Sequence, residues 1–153
     1  MKRNVTVLIV AMLMAVAVSS CAGTENWGTS NPPVARLKVF DYMETTDIGI
    51  VTDIYFSVTN VTDQELRDLT LTVTANPSYG VELPFTETTI DRIAPNGTWT
   101  PREPFLVRSQ YSGEITVFFT LTKNGKFLSK DYAIIQVSPD FDHDRDDFFF
   151  MMH

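Results

Sequence analysis

The segment Asp47-Ile-Gly-Ile-Val-Thr-Asp-Ile-Tyr-Phe-Ser-Val-Thr59 determines the fold class of this chain. Its apolar residues recur at every second position, which is typical of a β-strand that packs one face against a core. The opposite face carries the polar side chains of Asp53, Ser57 and Thr59. The side chains predicted to point inward are those of Ile48, Ile50, Thr52, Ile54, Phe56 and Val58.

Two further segments repeat this alternation, and threonine fills the outward positions of both. Because the β-branched threonine side chain suits a pleated surface, these segments also predict strands. No segment beyond residue 33 shows a comparable helical period. The predicted inward residues are Leu69, Leu71, Val73 and Ala75 in the first segment, and Ile115, Val117, Phe119 and Leu121 in the second.

Turn-forming residues separate the alternating segments. The sequence Lys123-Asn-Gly-Lys126 predicts a β-hairpin, since Asn-Gly adopts the positive φ angles of a type I′ turn at low cost. Pro101 and Pro104 interrupt the sixth predicted strand, which indicates an edge strand or a bulge there. The predicted strands are 35–42, 48–59, 66–75, 81–85, 88–93, 98–107, 114–122 and 126–137.

These strands predict an all-β chain: a single antiparallel Ig-like β-sandwich of seven to eight strands over residues 34–137. The paired cysteines of true immunoglobulin domains are absent from the sequence, so the term describes architecture only. About 100 residues suffice for one ordinary domain and not for two.

Two short motifs resemble the CARDB-type and related Ig-like modules of prokaryotic surface proteins. One is Asp53-Ile-Tyr-Phe-Ser-Val-Thr-Asn60 followed by Leu69-Thr-Leu-Thr-Val73, and the other is Ile90-Asp-Arg-Ile-Ala-Pro-Asn-Gly-Thr98. In that family a strand ending in Asn, an alternating second strand and a Leu/Ile-x-Pro-x-Gly turn recur. The resemblance spans residues 34–137, and it implies an adhesion, spacer or interaction domain without shared catalytic residues.

The N-terminus predicts an exported protein. Lys2 and Arg3 precede an apolar run over residues 5–18, and small residues follow, as in a secretory signal peptide. The sequence Val18-Ser-Ser-Cys21 resembles a prokaryotic lipobox, which implies cleavage before Cys21 and lipidation of Cys21. The alternatives are an ordinary signal peptide or a lone membrane helix. The predicted organisation is a signal-peptide helix at 1–20, a lipidated tether at 21–33, the sandwich, and an acidic, aromatic tail at 138–153.

Charge restricts the possible partners. Cleavage before Cys21 would change the formal charge from −7 to −9, because Lys2 and Arg3 are the only charged residues removed. An acidic protein repels phosphate backbones, so we expect no nucleic-acid binding. Membrane attachment is then expected through N-terminal acyl chains, and it takes two or more such chains to hold a protein stably. The expected location is the extracytoplasmic face of the cell membrane or the outer membrane.

The sequence argues against an enzyme. Its histidines, His143 and His153, both lie in the tail, so His-dependent nucleophilic catalysis has no base in the domain. We expect no cofactor. Carboxylates remain, and a pair of them could hydrolyse glycosides. Most of them, however, lie at outward strand positions or in turns, which favours ordinary solvent-exposed side chains. Glu44 and Asp47, together with Asp53, are weak calcium candidates.

The tail offers another weak metal candidate. Asp140, Asp142, Asp144 and Asp146 alternate like the start of a calcium loop, but the glycine and the final glutamate of an EF-hand are missing. The alternative is a disordered acidic tail. The apolar residues 148–152 could fold back on the sandwich, touch the bilayer or bind a partner, and the sequence does not rank these.

The loops supply the remaining candidates. Asn60-Val-Thr62 and Asn96-Gly-Thr98 fit the N-glycosylation sequon. Tyr79 and Tyr111 are aromatic residues in polar loops, which favours a role in binding. The loops expected to make contacts are 42–47, 76–80 and 109–113.

These observations predict a lipid-anchored, extracytoplasmic binding or interaction module of the cell envelope that is not catalytic. Its expected partner is an envelope protein or a glycan. The alternative is a small structural or assembly subunit of an envelope complex. That subunit would dock through its tail or through the edge strand that carries Pro101 and Pro104, because an exposed edge can accept another strand.

Overall fold

The computed structural model describes residues 28–139, and the predicted signal peptide, Cys21 and residues 140–153 lie outside this range. Within residues 28–139 the chain forms eleven strands and no helix. The strands are β1 (Gly28–Thr29), β2 (Ala35–Tyr42), β3 (Thr45–Asp47), β4 (Val51–Asn60), β5 (Leu66–Asn76), β6 (Val81–Glu82), β7 (Glu87–Ile93), β8 (Thr98–Trp99), β9 (Phe105–Ser109), β10 (Gly113–Lys123) and β11 (Lys126–Ser138).

The strands form two sheets that pack as a sandwich, which confirms the predicted fold class. Sheet A has the order β1-β11-β10-β5-β7, with β3 also paired to β11. Sheet B has the order β2-β4-β9-β6, with β8 also paired to β4. One detail differs from the prediction: β3 runs parallel to β11, whereas the other pairs are antiparallel.

Side chains from both sheets form one apolar core. Its centre is aromatic, since the ring centroid of Phe119 lies 4.8 Å from that of Phe56 and 5.3 Å from that of Phe105. The inward residues predicted for β10 are all buried. The prediction was wrong for Ile50, which is 53% exposed. Gly49 has a φ of 80°, and the turn it forms places Ile50 outside the alternation of β4.

Prolines shorten two of the predicted strands. The predicted strand 98–107 is divided into β8 and β9, with Pro101 and Pro104 in the segment between them. The predicted strand 81–85 ends at Glu82, two residues before Pro84. Both outcomes follow from the missing N–H of proline, which removes a hydrogen bond from the ladder. β9 is not an edge along its whole length, because it pairs with β4 on one side and with β6 at Arg108 and Ser109 on the other.

Two local predictions have clear outcomes. The Asn-Gly hairpin is confirmed, since Asn124 and Gly125 have φ angles of 50° and 74° and connect β10 to β11. The last part of the predicted tether instead belongs to the sandwich. Gly28 and Thr29 pair with β11, and the Ser129 hydroxyl donates a 2.7 Å hydrogen bond to the carbonyl oxygen of Gly28.

The outer edge of β2 is protected by side chains of β11. The N–H of Leu37 donates to Ser129 Oγ at 3.0 Å, and the N–H of Val39 donates to a carboxylate oxygen of Asp131 at 2.7 Å. An edge strand would otherwise present these groups to another chain. Sheets A and B are therefore joined along this side of the sandwich.

Asn60, the last residue of β4, joins the two motifs on which the CARDB resemblance is based. Its Nδ2 donates to the carbonyl oxygens of Gln64, Ile93 and Ala94 at 2.7, 3.3 and 3.0 Å. Its Oδ1 accepts from the N–H and the hydroxyl of Thr62 at 3.0 and 2.7 Å. The side chain is 1% exposed, so every polar atom of this buried amide is satisfied.

We expect Asn60→Ala to lower the free energy of unfolding by about 2 kcal/mol, because it leaves buried backbone groups without partners. Chemical denaturation monitored by tryptophan fluorescence measures this change. Gln64→Ala is the matched control: it keeps the carbonyl that Asn60 uses and should change stability by less than about 0.5 kcal/mol. Equal effects of the two substitutions would contradict the structural role given to Asn60.

Candidate functional site

The three predicted contact loops lie together at one end of the sandwich. The N–H of Gly49 donates to the carbonyl oxygen of Ser109 at 2.8 Å, and the N–H of Gln110 donates to that of Gly80 at 2.6 Å. The N–H of Ile48 also donates to the carbonyl oxygen of Ser138 at 3.1 Å, which brings the end of β11 to the same place. These contacts define the loop end, formed by residues 42–50, 76–80 and 109–113.

Tyr79 and Tyr111 meet at the loop end. Their ring centroids lie 5.1 Å apart with an interplanar angle of 76°, an edge-to-face arrangement. Tyr79 is 64% exposed, whereas Tyr111 is half-buried against the core. The structure thus places one rigid aromatic ring in solvent and supports it with another.

Ser109 fixes the backbone beneath Tyr111. Its hydroxyl accepts a hydrogen bond from the N–H of Tyr111 at 3.0 Å and donates one to the carbonyl oxygen of the same residue at 2.8 Å. Ser109 is 2% exposed, so water does not compete well for these bonds. The supporting ring therefore stands on a rigid turn.

The two phenol groups also interact. A hydrogen bond with the side chain of Tyr111 raises the pKa of Tyr79 above its usual value of 10.0, with smaller contributions from desolvation and from the charge of Tyr111. A raised pKa means that the neutral phenol is favoured in the folded state. The contribution of this phenol contact to stability is thus fully present below pH 10.0 and is lost as the pH rises through the raised pKa of Tyr79.

Gly113 allows the ring of Tyr111 to lie against the backbone. A Cβ at this position would lie 3.1 Å from both Cε1 and the hydroxyl oxygen of Tyr111, which is closer than van der Waals contact. Its φ of 126° is also a conformation that other residues rarely adopt. The sequence signal for this role was weak, since Gly113 reads only as a turn residue.

We expect Gly113→Ala to displace the ring of Tyr111 and to lower the free energy of unfolding by about 1–3 kcal/mol, the usual cost of a strained backbone. The pKa of Tyr79 should then fall toward its usual value, because its hydrogen-bond partner has moved. Ultraviolet titration of the phenols measures the pKa, and chemical denaturation measures stability. Gly125→Asn is the control, since asparagine tolerates the positive φ at that turn. An unchanged titration would show that Gly113 does not position Tyr111.

The metal candidates are not brought together. Among residues 28–139 no group of three or more His, Cys, Asp or Glu side chains is arranged to hold a metal ion, so the side chains of Glu44, Asp47 and Asp53 are not gathered into one set of ligands. Asp140, Asp142, Asp144 and Asp146 lie outside the described range, as does Cys21. In the same range no helix is long and apolar enough to cross a membrane.

The two sequons differ in their surroundings. Asn96 is exposed in a turn with a φ of 54°, so it stays a candidate for glycosylation. Asn60 is buried, and its Nδ2 already donates to three carbonyl oxygens. A glycan on that nitrogen would break the network described above. The folded domain therefore does not present Asn60 as an acceptor.

Sequence reasoning missed several apolar side chains at the surface, on β2 and β9 and in the loop end. Phe40, Met43 and Ile50 are 54%, 56% and 53% exposed, and Leu106 on β9 is 45% exposed. The available signal was the alternation of β9, where the apolar Leu106 occupies an outward position between two inward residues. Such surfaces on soluble domains often mark interaction sites.

Solved structures resemble this fold. The CARDB domain of a Pyrococcus furiosus protein, determined in complex with di-metal ions, has a TM-score of 0.57 and 10% identity, and the match covers 69% of this chain and 89% of that one. Escherichia coli α2-macroglobulin matches with a TM-score of 0.54 and 20% identity over 71% of this chain. Salmonella α2-macroglobulin matches with a TM-score of 0.53 and 22% identity over 69% of this chain. Each match covers only 7% of the macroglobulin chain.

These similarities establish the class of fold. The domain is an Ig-like β-sandwich whose fold is similar to that of the CARDB domain and to that of a small part of the macroglobulin chains. The sequence matches no protein-family model and no curated protein. At identities of 10–22% the likeness concerns the fold alone.

Proposed function

We propose that this protein is a lipid-anchored interaction module of the cell envelope, that it acts outside the cytoplasm, and that it binds an envelope protein or a glycan without catalysis. The observation that carries the proposal is the pair of tyrosines at the loop end. Loops on a rigid scaffold are common binding sites, and tyrosine contributes a large contact area at low entropic cost. The Ig-like fold supports the proposal because such domains commonly serve in interactions.

The binding surface at the loop end would centre on Tyr79. Its ring is exposed, and the contact with Tyr111 limits its motion before any partner arrives. A preorganised side chain loses less freedom on binding, which favours affinity. For a glycan, the ring face would pack on a sugar; for a protein, it would fill a pocket on the partner.

The proposal is tested by crosslinking in the envelope of cells that express the full chain. We expect Tyr79→Ser to reduce the amount of captured partner about thirtyfold, since truncation of a binding tyrosine at the centre of an interface commonly costs about 2 kcal/mol. Tyr132→Ser is the matched control: Tyr132 is 39% exposed on sheet A, away from the loop end. Quantitative mass spectrometry of the captured material measures the ratio.

Equal capture by the two variants would contradict a contact surface at the loop end. If capture instead disappears from a chain that ends at Pro139, the assembly role through the tail is favoured. A glycan array probed with the same proteins separates the two partner classes. Binding that requires Tyr79 on the array would identify a glycan.

Attachment through Cys21 is a separate part of the proposal. The lipobox-like sequence predicts that Cys21→Ser abolishes acylation, because serine cannot form the thioether and the cleavage site is lost. We expect the wild-type protein in the membrane fraction with a mass increased by its acyl chains. The variant should either keep its signal peptide or appear without lipid. Intact-mass spectrometry distinguishes these forms, and an unmodified wild-type Cys21 would contradict the lipid anchor.

The assembly role is the second candidate, and a feature of sheet B favours it. β6 pairs only with Arg108 and Ser109 of β9. Within residues 28–139, Phe105, Leu106 and Val107 therefore have a strand partner only on the β4 side. This part of β9 is an open edge where an additional segment can lie.

A further inference from the structure

Two neighbouring, largely apolar hollows lie beside β9 and together form a trough. It consists of two hollows of about 260 and 430 Å³ that are joined because Pro84 and Leu106 line both of them. We call this feature the β9 trough. Its apolar lining includes Val51, Leu83, Pro84, Phe85, Pro104 and Leu106.

The trough exists because prolines keep β9 without a full neighbour. β6 stops before Pro84, and the segment that carries Pro101 and Pro104 turns away before β9 begins. Edge-to-face packing of Phe85 on Phe105, with ring centroids 5.0 Å apart, keeps the two sides in place. The result is a concave apolar surface next to an open strand edge, the usual form of a peptide-binding groove.

The chain leaves the sandwich beside one end of this trough. The carbonyl oxygen of Ser138 accepts a hydrogen bond from the N–H of Ile48. Ile50, in the same turn, lines a hollow together with Ser138 and Met43. Gly49 in the same turn bonds to Ser109, the last residue of β9. The tail that follows Pro139 therefore begins next to the turn that contacts the last residue of β9, and so beside the trough.

The tail is long enough to reach along the trough. Eight residues lie between Pro139 and Phe148, and the nine extended steps that connect these two residues span at most about 30 Å. The five residues of β9 extend over about 17 Å. The sequence Phe148-Phe-Phe-Met-Met152 can thus lie against any part of the trough without stretching the connection.

The acidic part of the tail begins at the same end as the basic residue of the trough. The acidic residues 140–147 come first, and Arg108 stands at the end of the trough nearest Pro139. The ion pair of Arg108 with Glu82 measures 3.8 Å between exposed groups, so it competes weakly. Arg102 and Glu103 both line the far hollow, beyond Leu106, so Arg108 is the basic residue on which the charge argument rests.

We propose that residues 148–152 pack into the β9 trough of the same molecule, with the preceding aspartates beside Arg108. The apolar side chains fill the space between Pro84 and Pro104, and their removal from water drives the contact. This inference goes beyond the proposed function, which concerns the loop end. A tail that binds the trough of its own molecule is not available for a partner, so this inference is an alternative to the assembly role.

Photo-crosslinking in cells tests the proposal with the full chain. The photoreactive residue p-benzoylphenylalanine replaces Phe149, and digestion followed by mass spectrometry identifies the peptide to which it is joined. We expect joining within one chain, to peptides that contain residues 83–85 or 101–106. Joining of two chains, of another protein, or of lipid alone would overturn the proposal.

Substitutions in the trough provide the matched comparison. Leu106→Asp places a charge among the apolar side chains, and we expect it to reduce the yield of the internal crosslink about tenfold, which corresponds to about 1.4 kcal/mol. Tyr132→Asp introduces the same charge on an exposed strand position of sheet A and should leave the yield unchanged. Near-ultraviolet circular dichroism confirms that both variants are folded.

Arg108→Glu gives a second test that does not depend on the apolar side chains. Reversal of this charge should reduce the crosslink, and raising the salt concentration should diminish the difference from the wild type, because salt screens exposed charges. If neither Leu106→Asp nor Arg108→Glu changes the yield, the tail does not occupy the trough. Failure here would leave the result for Tyr79 unaffected, so the two proposals are separable.

Discussion

The buried amide of Asn60 is the interaction on which the arrangement of the two sheets depends at one end of the sandwich. Its side chain belongs to sheet B, whereas the carbonyl of Ile93 that it binds belongs to the end of β7 in sheet A. The N–H of Asn60 also donates to Gly97 at 2.9 Å, which fixes the Pro-Asn-Gly turn. Because a buried amide is stable only when all its groups are bonded, this one residue sets the relative position of the loop 61–65 and the turn 94–97.

In the part of the chain that the structure describes, the loop end, opposite Asn60, has no such buried amide, so its loops can vary in sequence more freely. There the connections are held by a few backbone hydrogen bonds, by the short pairing of β3 with β11, by the Ser109 hydroxyl and by the packing of Tyr79 on Tyr111. A rigid frame with adjustable loops at one end is the arrangement by which Ig-like sandwiches acquire binding surfaces without a change of fold. The prolines that shorten β6 and separate β8 from β9 add a second concave surface, the β9 trough, on the side of the same frame.

Alternation in the sequence predicted most of the inward residues of β4, β5 and β10, because burial on one face of a strand recurs at every second residue. Turn chemistry likewise predicted the hairpin at Asn124 and Gly125. Contacts between distant residues were not predictable: β1 and β3 pair with a strand about 90–100 positions away, and neither shows alternation of its own. The trough is of the same kind, since it forms only where two separate proline-containing segments meet. Tyr79 was identified from sequence, but its support by Tyr111 and Gly113 was not.

The side chains that cover the outer edge of β2 have a consequence for the dynamics of the domain. Amide protons on the free side of an edge strand normally exchange with solvent rapidly, since nothing holds them. Those of Leu37 and Val39 are held by Ser129 and Asp131, which lie 92 residues further along the chain. Their exchange requires the two sheets to separate along this side, so these two protons measure the opening of the whole sandwich and not the fraying of one strand.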